Sequence, residues 1–419
     1  MRMLLLAPLL VWPLACAVDK DEPEPDTNAP YAPDADDEFL VVVLPDTQIY
    51  AMSFPATFES QLRWIAENAE PLRIVFVSHV GDIVQTGTAT NEWDVATAAF
   101  DWIQDIDLPH GFSVAGHDYS VGDGSVRDNS CANFTNLDCD FTDFLARFGP
   151  QHYADRGWYA GSSASGASSY QRVSAGGMDL LFLHMPQDPP RAEVEWAKEV
   201  LDANPGTLAH LTTHRHLYDY RLTADLPNPL DLLAPGRFNA LTYLLGGQDL
   251  HFKTSLTADE VFTELVAAHP NIWGVHCGHV DAEFHQTSTN DAGLPVHEIL
   301  VDFQDMADGG GGWLRVLKFR PSAKQVEVYT LSTLTGELRE NGDGFDHSLD
   351  ILTAYESAAI EEFEQLGMDT TEIQAYFDLV RDPSTPEHAA YRESLYAAGE
   401  RDSRFVLDVD FPAYIAASR

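Results

Sequence analysis

The amino-acid sequence predicts a layered α/β fold, and three observations support this prediction. Short continuous apolar runs are typical of buried strands. Longer amphipathic segments with helical periodicity separate these runs, so strand and helix alternate along the chain. A later set of strand-like runs has only turn residues between its members, which predicts antiparallel pairing. With 419 residues and 45% hydrophobic content, the chain can build one large domain or two smaller ones.

The individual elements follow from these patterns in order. The buried strands are predicted at FLVVVL (39–44), IVFVSHV (74–80), MDLLFLHM (178–185), LAHLTTH (208–214) and IWGVHC (272–277). The amphipathic helices are predicted at 54–69, 91–106, 190–203 and 257–269. Further strands are expected at VHEILVDFQ, WLRVLKF and QVEVYTL. Residues 350–400 have a helical pattern, and SRFVLDVDF (403–411) is again typical of a strand.

The N-terminal segment has the pattern of an export signal, predicted over residues 1–17. An apolar run too short to span a bilayer follows Arg2. Two processing hypotheses stay open: Ala15-Cys16-Ala17 suits ordinary signal peptidase, whereas Leu14-Ala15-Cys16 resembles a lipobox that would place a lipid anchor at Cys16. Residues 18–38 are rich in Asp, Glu and Pro, which is typical of a flexible linker. We therefore expect an exported protein that is secreted, periplasmic or lipid-anchored at the cell surface.

The charge balance restricts the partners. The chain has 66 acidic and 24 basic residues, and its formal net charge is −42. A protein this acidic repels the phosphate backbone of nucleic acid and anionic membrane surfaces, so a small substrate is favoured over a long polyanion. Acidity on this scale also keeps a chain soluble in salt, and the composition leaves that second explanation open.

Three cysteines follow the signal segment. Cys131 and Cys139 enclose a short polar loop, and a disulfide is their expected use in an exported protein. Cys277 lies in an apolar run and is predicted to be a buried thiol. The sequence has no CxxC pair that would indicate a structural zinc site.

Polar residues of the metal-ligand type follow the predicted strands. In open α/β sheets, ligands bind at the carboxyl ends of strands, so side chains at these positions are expected to meet. One such ending is weak evidence, because Asp and His are common in turns. Five endings occur in order: Asp46-Thr47-Gln48, Asp82, His117-Asp118, His214 and His279-Val280-Asp281.

These five blocks resemble the calcineurin-like metallophosphoesterase family, whose pattern runs D-x-H, GD, GNH(D/E), a lone His, and GHxH. The LPDTQ opening, Ser169-Tyr170, STNDAGLPVHEIL and GGGGWLRVLKF are similar to an exported bacterial group of that family. The resemblance implies an α/β/β/α sandwich of mixed sheets over residues 39–340. Residues 341–402 would then be a helical insertion, and residues 403–415 a closing strand.

The resemblance also implies the roles of the site residues. Asp46, Gln48 and Asp281 would bind a first metal, Asp82 would bridge, and a second metal would be bound by His214 and His279. The cofactor would be one or two divalent ions of Mn, Fe, Zn, Mg or Ca. Such ions neutralise phosphoryl oxygens and supply hydroxide near neutral pH. The catalytic pair would be His117, which donates a proton to the leaving group, and Asp118, which orients it.

The chain departs from the family pattern at three positions. Gln48 replaces the first His, Gly116 replaces the Asn of GNH, and Asp281 replaces the second His of GHxH. The changes at Gln48 and Asp281 shift the first site from nitrogen toward oxygen, which favours Mn, Mg or Ca there. Gly116 offers no side-chain ligand, so we expect weak binding of the second metal unless water or a carboxylate of the following loop, Asp123 or Asp128, substitutes.

Other histidines and one arginine have separate interpretations. His79 and His184 lie within apolar runs and are predicted to be core residues. Arg215 and His216 follow His214 directly, and either could reach the phosphate of the substrate.

Together these patterns predict a metal-dependent phosphoesterase that acts on a small phosphomonoester or phosphodiester. The alternative is a catalytically impaired relative that acts as a surface binding module.

Overall fold

The computed structural model describes residues 27–120, 140–218, 236–239, 255–304, 306–339 and 402–419. The predicted disulfide between Cys131 and Cys139, and the helical pattern at 350–400, lie outside these ranges. Cys277 is a buried free thiol, as predicted. No helix within the described ranges is long and apolar enough to cross a bilayer.

Fifteen strands and seven α-helices make up the described part of the chain. The strands are β1 Phe39–Leu44, β2 Ile74–His79, β3 His110–Phe112, β4 Tyr159–Ser162, β5 Ser169–Ala175, β6 Met178–His184, β7 Leu208–Thr212, β8 Leu217–Tyr218, β9 Gly236–Arg237, β10 Ile272–Cys277, β11 Glu283–Thr289, β12 Pro295–Val301, β13 Trp313–Arg320, β14 Gln325–Ser332 and β15 Arg404–Asp408. The helices are α1 Gln48–Ser53, α2 Pro55–Asn68, α3 Thr90–Gln104, α4 Thr142–Phe148, α5 Arg191–Ala203, α6 Ala258–Val261 and α7 Phe411–Ala417.

Two mixed sheets form the framework. The first has the order β15-β14-β13-β1-β2-β3 and the second the order β11-β12-β10-β7-β6-β5-β4. In the first sheet β1, β2 and β3 are parallel, and β13, β14 and β15 add antiparallel strands. In the second sheet β6, β7, β10 and β12 are parallel. The carboxyl ends of the parallel strands in each sheet therefore share one edge.

The core has three apolar layers, which define the order helix, sheet, sheet, helix. Alternate residues of β1 point to opposite faces. Leu40 and Val42 pack against α2 and α3, whereas Val41 and Val43 face the second sheet. The two sheets meet at Phe76 and Phe182, whose rings stack 3.8 Å apart. The far face of the second sheet is covered by α5 and α6. The predicted α/β/β/α sandwich is confirmed.

Some elements are shorter than the sequence pattern predicts. The helix expected at 257–269 is α6 followed by a π-helical turn, Phe262–Val266. The strand that precedes His117-Asp118, β3, ends at Phe112, and Gly116–Asp118 form a 3₁₀ turn. The C-terminal strand ends at Asp408, because Phe411 and Pro412 begin α7.

A buried ionic cluster holds the start of β15 to the sheets. The Glu283 carboxylate pairs with Arg315 (3.0 Å) and Arg339 (2.9 Å) and accepts a hydrogen bond from Ser403 Oγ (2.6 Å). Burial opposes ionisation of Glu283, but the two guanidinium groups outweigh it and lower its pKa. Arg339 is the last described residue before the gap at 340–401, and Ser403 follows soon after that gap.

Candidate metal centre

Asp82 is the meeting point of the loops that follow the parallel strands. Its backbone carbonyl accepts a hydrogen bond from the Thr47 amide (3.2 Å), and its Oδ1 accepts one from the His117 amide (2.8 Å). On the other side, Oδ2 lies 2.9 Å from Nε2 of His214. The Gly278 amide donates to the His214 carbonyl (2.9 Å), which adds the loop that carries His279. The loops after β1, β2, β3, β7 and β10 therefore converge.

The backbone at this meeting point is in the left-handed region. Gly81 has φ 107°, Asp82 has φ 51° and His279 has φ 77°. Left-handed conformations of non-glycine residues cost free energy and are concentrated at functional sites. A β-carbon on Gly81 would lie 2.9 Å from Cβ of Ala115 and 3.1 Å from the His214 ring. Glycine therefore allows the Asp82 loop to approach His214.

Three side chains form a group that could hold a metal ion. The ligand atoms of Asp82, His214 and His279 all lie within 4.8 Å of one another. The rings of His214 and His279 meet edge to face, with centroids 5.2 Å apart. The Asp46 and Asp281 carboxylates are not in this group of mutually close atoms, which is the only one found among the described residues.

His214 has the tautomer that a metal ligand needs. Its Nδ1 lies 3.1 Å from the Val80 carbonyl oxygen, so Nδ1 carries the hydrogen and donates it. Its Nε2 is buried 2.9 Å from Asp82 Oδ2, where an imidazolium donates a hydrogen bond to the carboxylate. A cation bound between the two atoms would replace that proton, and the neutral imidazole would then be a ligand through Nε2.

Two oxygen atoms beside this group are without a partner. Asp46 Oδ1 accepts from the Gln48 amide (2.9 Å), but Asp46 Oδ2 is buried with no hydrogen-bond partner in the described chain. Gln48 Oε1 is also buried with no hydrogen-bond partner in the described chain. The Gln48 side chain uses its other polar atom, Nε2, to donate to Gln304 Oε1. Buried polar atoms are normally paired, so two unpaired oxygens fit the donor set of a hard cation.

The electrostatics of the buried carboxylates agree with this donor set. Burial raises the pKa of Asp46 well above its ordinary value, and the charges of Asp302 and Asp82 raise it further. Burial also acts against ionisation of Asp82, but the charges of His214 and His117 and the hydrogen bonds from these two residues together outweigh it and lower the Asp82 pKa. Burial disfavours the His214 imidazolium, yet the attraction of Asp82 leaves the His214 pKa raised.

The predicted contact between His117 and Asp118 is wrong. The Asp118 carboxylate accepts hydrogen bonds from the backbone amides of Ile83 (2.7 Å), Val84 (3.2 Å) and Ala115 (3.0 Å). Burial and the charge of Asp82 raise the Asp118 pKa to about 8. His117 instead donates from Nδ1 to the Gln85 carbonyl oxygen (2.8 Å). Asp118 thus holds two loops together, while Gln85 orients the imidazole.

Gly116 leaves a gap in the family pattern, and a glutamine lies next to it. The Gly116 amide donates to Oε1 of Gln187 (3.1 Å), a buried residue shortly after β6. The two carboxylates proposed as substitutes, Asp123 and Asp128, lie outside the described residues.

Arg215 and His216 have buried acidic partners instead of a free position for a phosphate. The Arg215 guanidinium forms a two-point ion pair with Asp188, through Nε to Oδ1 (3.1 Å) and through a second contact to Oδ2. His216 Nε2 lies 2.7 Å from Glu298 Oε2, and both side chains are fully buried. The structure therefore corrects the prediction that either residue is poised to bind the substrate.

His79 and His184 lie in the core, as predicted. His79 contacts Thr47 Oγ1 through Nε2 (2.9 Å) and accepts from the Gly81 amide through Nδ1 (3.0 Å). His184 Nε2 contacts Ser78 Oγ (2.8 Å).

The sequence patterns missed four polar residues around the site: Gln85, Gln187, Asp302 and Gln304. Asp302 follows β12 directly, so the rule that identified the other strand ends applies to it as well. Gln85 and Gln187 act through contacts with distant loops and have no comparable signal in the sequence.

Comparisons with known proteins give the following similarities. No protein-family model matches the chain. Over 345 residues it is 27% identical to the uncharacterized protein YvnB of Bacillus subtilis (strain 168). This match covers 79% of the chain and 23% of YvnB, so the chain spans about a quarter of the length of that relative.

Solved structures with a similar arrangement have low sequence identity. The purple acid phosphatase PPD1 of yellow lupin (Lupinus luteus) is 12% identical with a TM-score of 0.41, covering 73% of this chain and 53% of that one. A dimetal phosphatase of Danio rerio is 9% identical with a TM-score of 0.39, and the match covers 70% of this chain and 96% of that one. GAP50 of Plasmodium, the anchor in the inner membrane complex, is 8% identical with a TM-score of 0.38, and the match covers 72% of this chain and 86% of that one.

Proposed function

We propose that the protein is a metal-dependent phosphoesterase of the calcineurin-like type, acting on a small phosphomonoester or phosphodiester. One observation carries the proposal: the ligand atoms of Asp82, His214 and His279 all lie within 4.8 Å of one another, with His214 Nε2 2.9 Å from Asp82 Oδ2. One carboxylate and two imidazoles at this spacing are a donor set that suits a divalent cation. This donor set occurs where the five sequence blocks that resemble the family meet.

The residues that would hold the metals fall into two sets. His214 and His279 would bind one ion, and Asp46 and Gln48 would bind the other. Asp82 would serve both, and Asp281 remains a candidate for the oxygen-rich side. Divalent ions bound there would neutralise the phosphoryl oxygens and lower the pKa of a coordinated water. Oxygen donors favour Mn, Mg or Ca, and imidazole donors also suit Zn or Fe.

His117 would supply the proton that the leaving group needs. Its backbone amide is bound to Asp82 Oδ1, which fixes the residue next to the metal ligands. Because Nδ1 donates to the Gln85 carbonyl, Nε2 is the nitrogen that gains and loses a proton. An imidazolium at this position can transfer its Nε2 proton to the departing alkoxide and return to the neutral form.

The proposal is tested by turnover of a panel of phosphomonoesters and phosphodiesters with Mn, Mg, Zn, Fe or Ca added. We expect hydrolysis that depends on the added metal and falls by at least about 100-fold in Asp82→Asn, because the variant loses the shared ligand. Asp94→Asn, which changes an exposed carboxylate on α3, is the control and should behave like the wild type.

Two outcomes would overturn the proposal. Hydrolysis that ignores the Asp82 substitution would remove this site from the reaction. Metal binding without turnover of any phosphoester would favour the alternative function, a surface binding module that keeps the fold and its ligands.

A further inference from the structure

A sixth strand end reaches the candidate metal centre. β12 ends at Val301, which pairs with Glu283, and the next residue, Asp302, is fully buried. The Asp302 amide donates to the Ala282 carbonyl oxygen (3.0 Å). Asp302 therefore lies beside the loop that carries His279 and Asp281.

Gln304 connects Asp302 to the first sequence block. The Gln304 amide donates to Asp302 Oδ1 (3.1 Å), and Gln304 Oε1 accepts from Nε2 of Gln48. This second contact determines the orientation of the Gln48 amide. Its nitrogen faces Gln304, so its buried oxygen is left for another partner. Asp46, Gln48, Gln304 and Asp302 thus form one connected set.

The charge of this set needs compensation. Asp46, Asp82 and Asp302 are all at least 98% buried. The charges of Asp302 and Asp82 both act on the buried Asp46 carboxylate. Carboxylates brought together in a low-dielectric interior repel each other strongly, and a divalent cation is the usual means of holding them. The unpaired oxygens of Asp46 and Gln48 are independent signs of a ligand at the same place.

We propose that Asp302 is a further carboxylate ligand of the ion bound by Asp46 and Gln48, and that Gln304 is a positioning residue that turns the Gln48 oxygen toward that ion. The inference rests on the proposed function, since it concerns the same metal centre. It gives the ion bound by Asp46 and Gln48 a donor set made of oxygen atoms. Such a set takes a hard divalent cation such as Mn²⁺, Mg²⁺ or Ca²⁺.

Mn²⁺ binding to Asp302→Asn tests the carboxylate ligand. Manganese paramagnetic resonance and calorimetry on the full chain should show Mn²⁺ affinity at least about tenfold weaker than in the wild type. Asp402→Asn is the matched control, because Asp402 is also a buried Asp but pairs with His285, which is not one of the candidate ligands. Its Mn²⁺ affinity should equal that of the wild type. Unchanged affinity in Asp302→Asn would overturn the proposal.

Thermal unfolding separates a metal ligand from a structural residue. In EDTA, Asp302→Asn should raise the melting temperature, because the change removes one of the repelling buried charges. With Mn²⁺ added, the variant should gain less stability than the wild type. A lower melting temperature in EDTA combined with a full Mn²⁺ gain would show that Asp302 only supports the loop, and the proposal would fall.

Gln304 is tested by a pair of variants. Gln304→Ala should weaken Mn²⁺ binding by about tenfold in the wild-type background, and it should have little further effect in a Gln48→Ala background, because it acts through the Gln48 oxygen. Equal loss in the two backgrounds would contradict the positioning role. The Mn²⁺ binding and unfolding measurements do not require the protein to hydrolyse a substrate. A wild type that binds Mn²⁺ but hydrolyses nothing would therefore refute the phosphoesterase and leave the ligand assignment intact.

Discussion

Gly81 lies directly against His214, and a β-carbon on Gly81 would be 3.1 Å from both Cβ and Nδ1 of that histidine. Gly81→Ala should therefore displace His214 or the Asp82 loop. An alanine would also strain the backbone at this position, where φ is 107°. We expect a loss of about 1–3 kcal/mol in the free energy of unfolding, together with weaker metal binding.

Gly177→Ala is the matched control for this variant. Gly177 also has positive φ, but a β-carbon there meets nothing within 4 Å. The control should lose stability through strain alone and keep the metal affinity of the wild type. Urea unfolding and Mn²⁺ titration of both variants measure the two effects, and equal metal affinities would contradict the importance of the close approach.

His117→Gln should reduce turnover according to the leaving group. An alkyl phosphate, whose alkoxide needs a proton, should be hydrolysed about 10²–10⁴-fold more slowly. A nitrophenyl phosphate, whose phenolate leaves without a proton, should lose far less. The Mn²⁺ affinity should not change, because the backbone amide that contacts Asp82 is retained. Equal losses for the two substrates would show that His117 is not the proton donor.

Arg215→Met should destabilise the fold by about 3–5 kcal/mol, because it removes the guanidinium that pairs with the buried Asp188 carboxylate. Adding Asp188→Asn removes that charge and suits the backbone, since φ at this position is 45°. The double variant should therefore be more stable than Arg215→Met alone. Urea unfolding of the two single variants and the double variant measures the coupling, and simple additivity would argue against the ion pair.

Acid should destabilise the protein through its buried histidines. Burial lowers the pKa of His110 from 6.5 to about 4. Between these values the unfolded chain binds a proton that the folded chain does not, so the free energy of unfolding falls as the pH drops. This histidine should contribute a loss of about 3 kcal/mol between pH 7 and pH 4. His79 and His210, whose pKa values are each lowered to about 3, act in the same direction.

His110→Phe isolates this contribution. The aromatic neighbours Tyr153 and Trp158, with ring centroids 5.1 and 5.0 Å away, can accommodate a phenyl ring. The stability difference between pH 7 and pH 4 should be smaller in this variant than in the wild type by about 3 kcal/mol. His152→Phe changes an exposed histidine and should leave that difference as it is. Denaturant unfolding at several pH values measures both.

The residues alone predict strands and helices in alternation and polar residues at the strand ends, and the resemblance to a known family implies the four layers. The uninterrupted apolar runs and the amphipathic segments between them depend on local periodicity, which a single chain displays. The meeting of Asp46, Asp82, His117, His214 and His279 follows from a topological rule about parallel strands. Asp302 obeys the same rule, but the turn residues around its strand predict antiparallel pairing, whereas β12 is parallel to β10 and antiparallel only to β11.

The partners of individual side chains could not be predicted in the same way. Asp118 follows His117 in sequence, yet its oxygens bind three amides of other loops. The sequence predicts that Arg215 could bind a phosphate, whereas Asp188 pairs with it in the interior. Such choices depend on which donors are already desolvated in the folded protein, and adjacency in the chain carries no information about that.

The Glu283 cluster has a consequence for protein engineering. One oxygen, Oε2, contacts both Arg339 and Ser403, so these two residues lie close together although they are far apart in sequence. A short linker or a reporter domain with neighbouring ends could therefore join residue 339 to residue 402 and leave β14 and β15 in place.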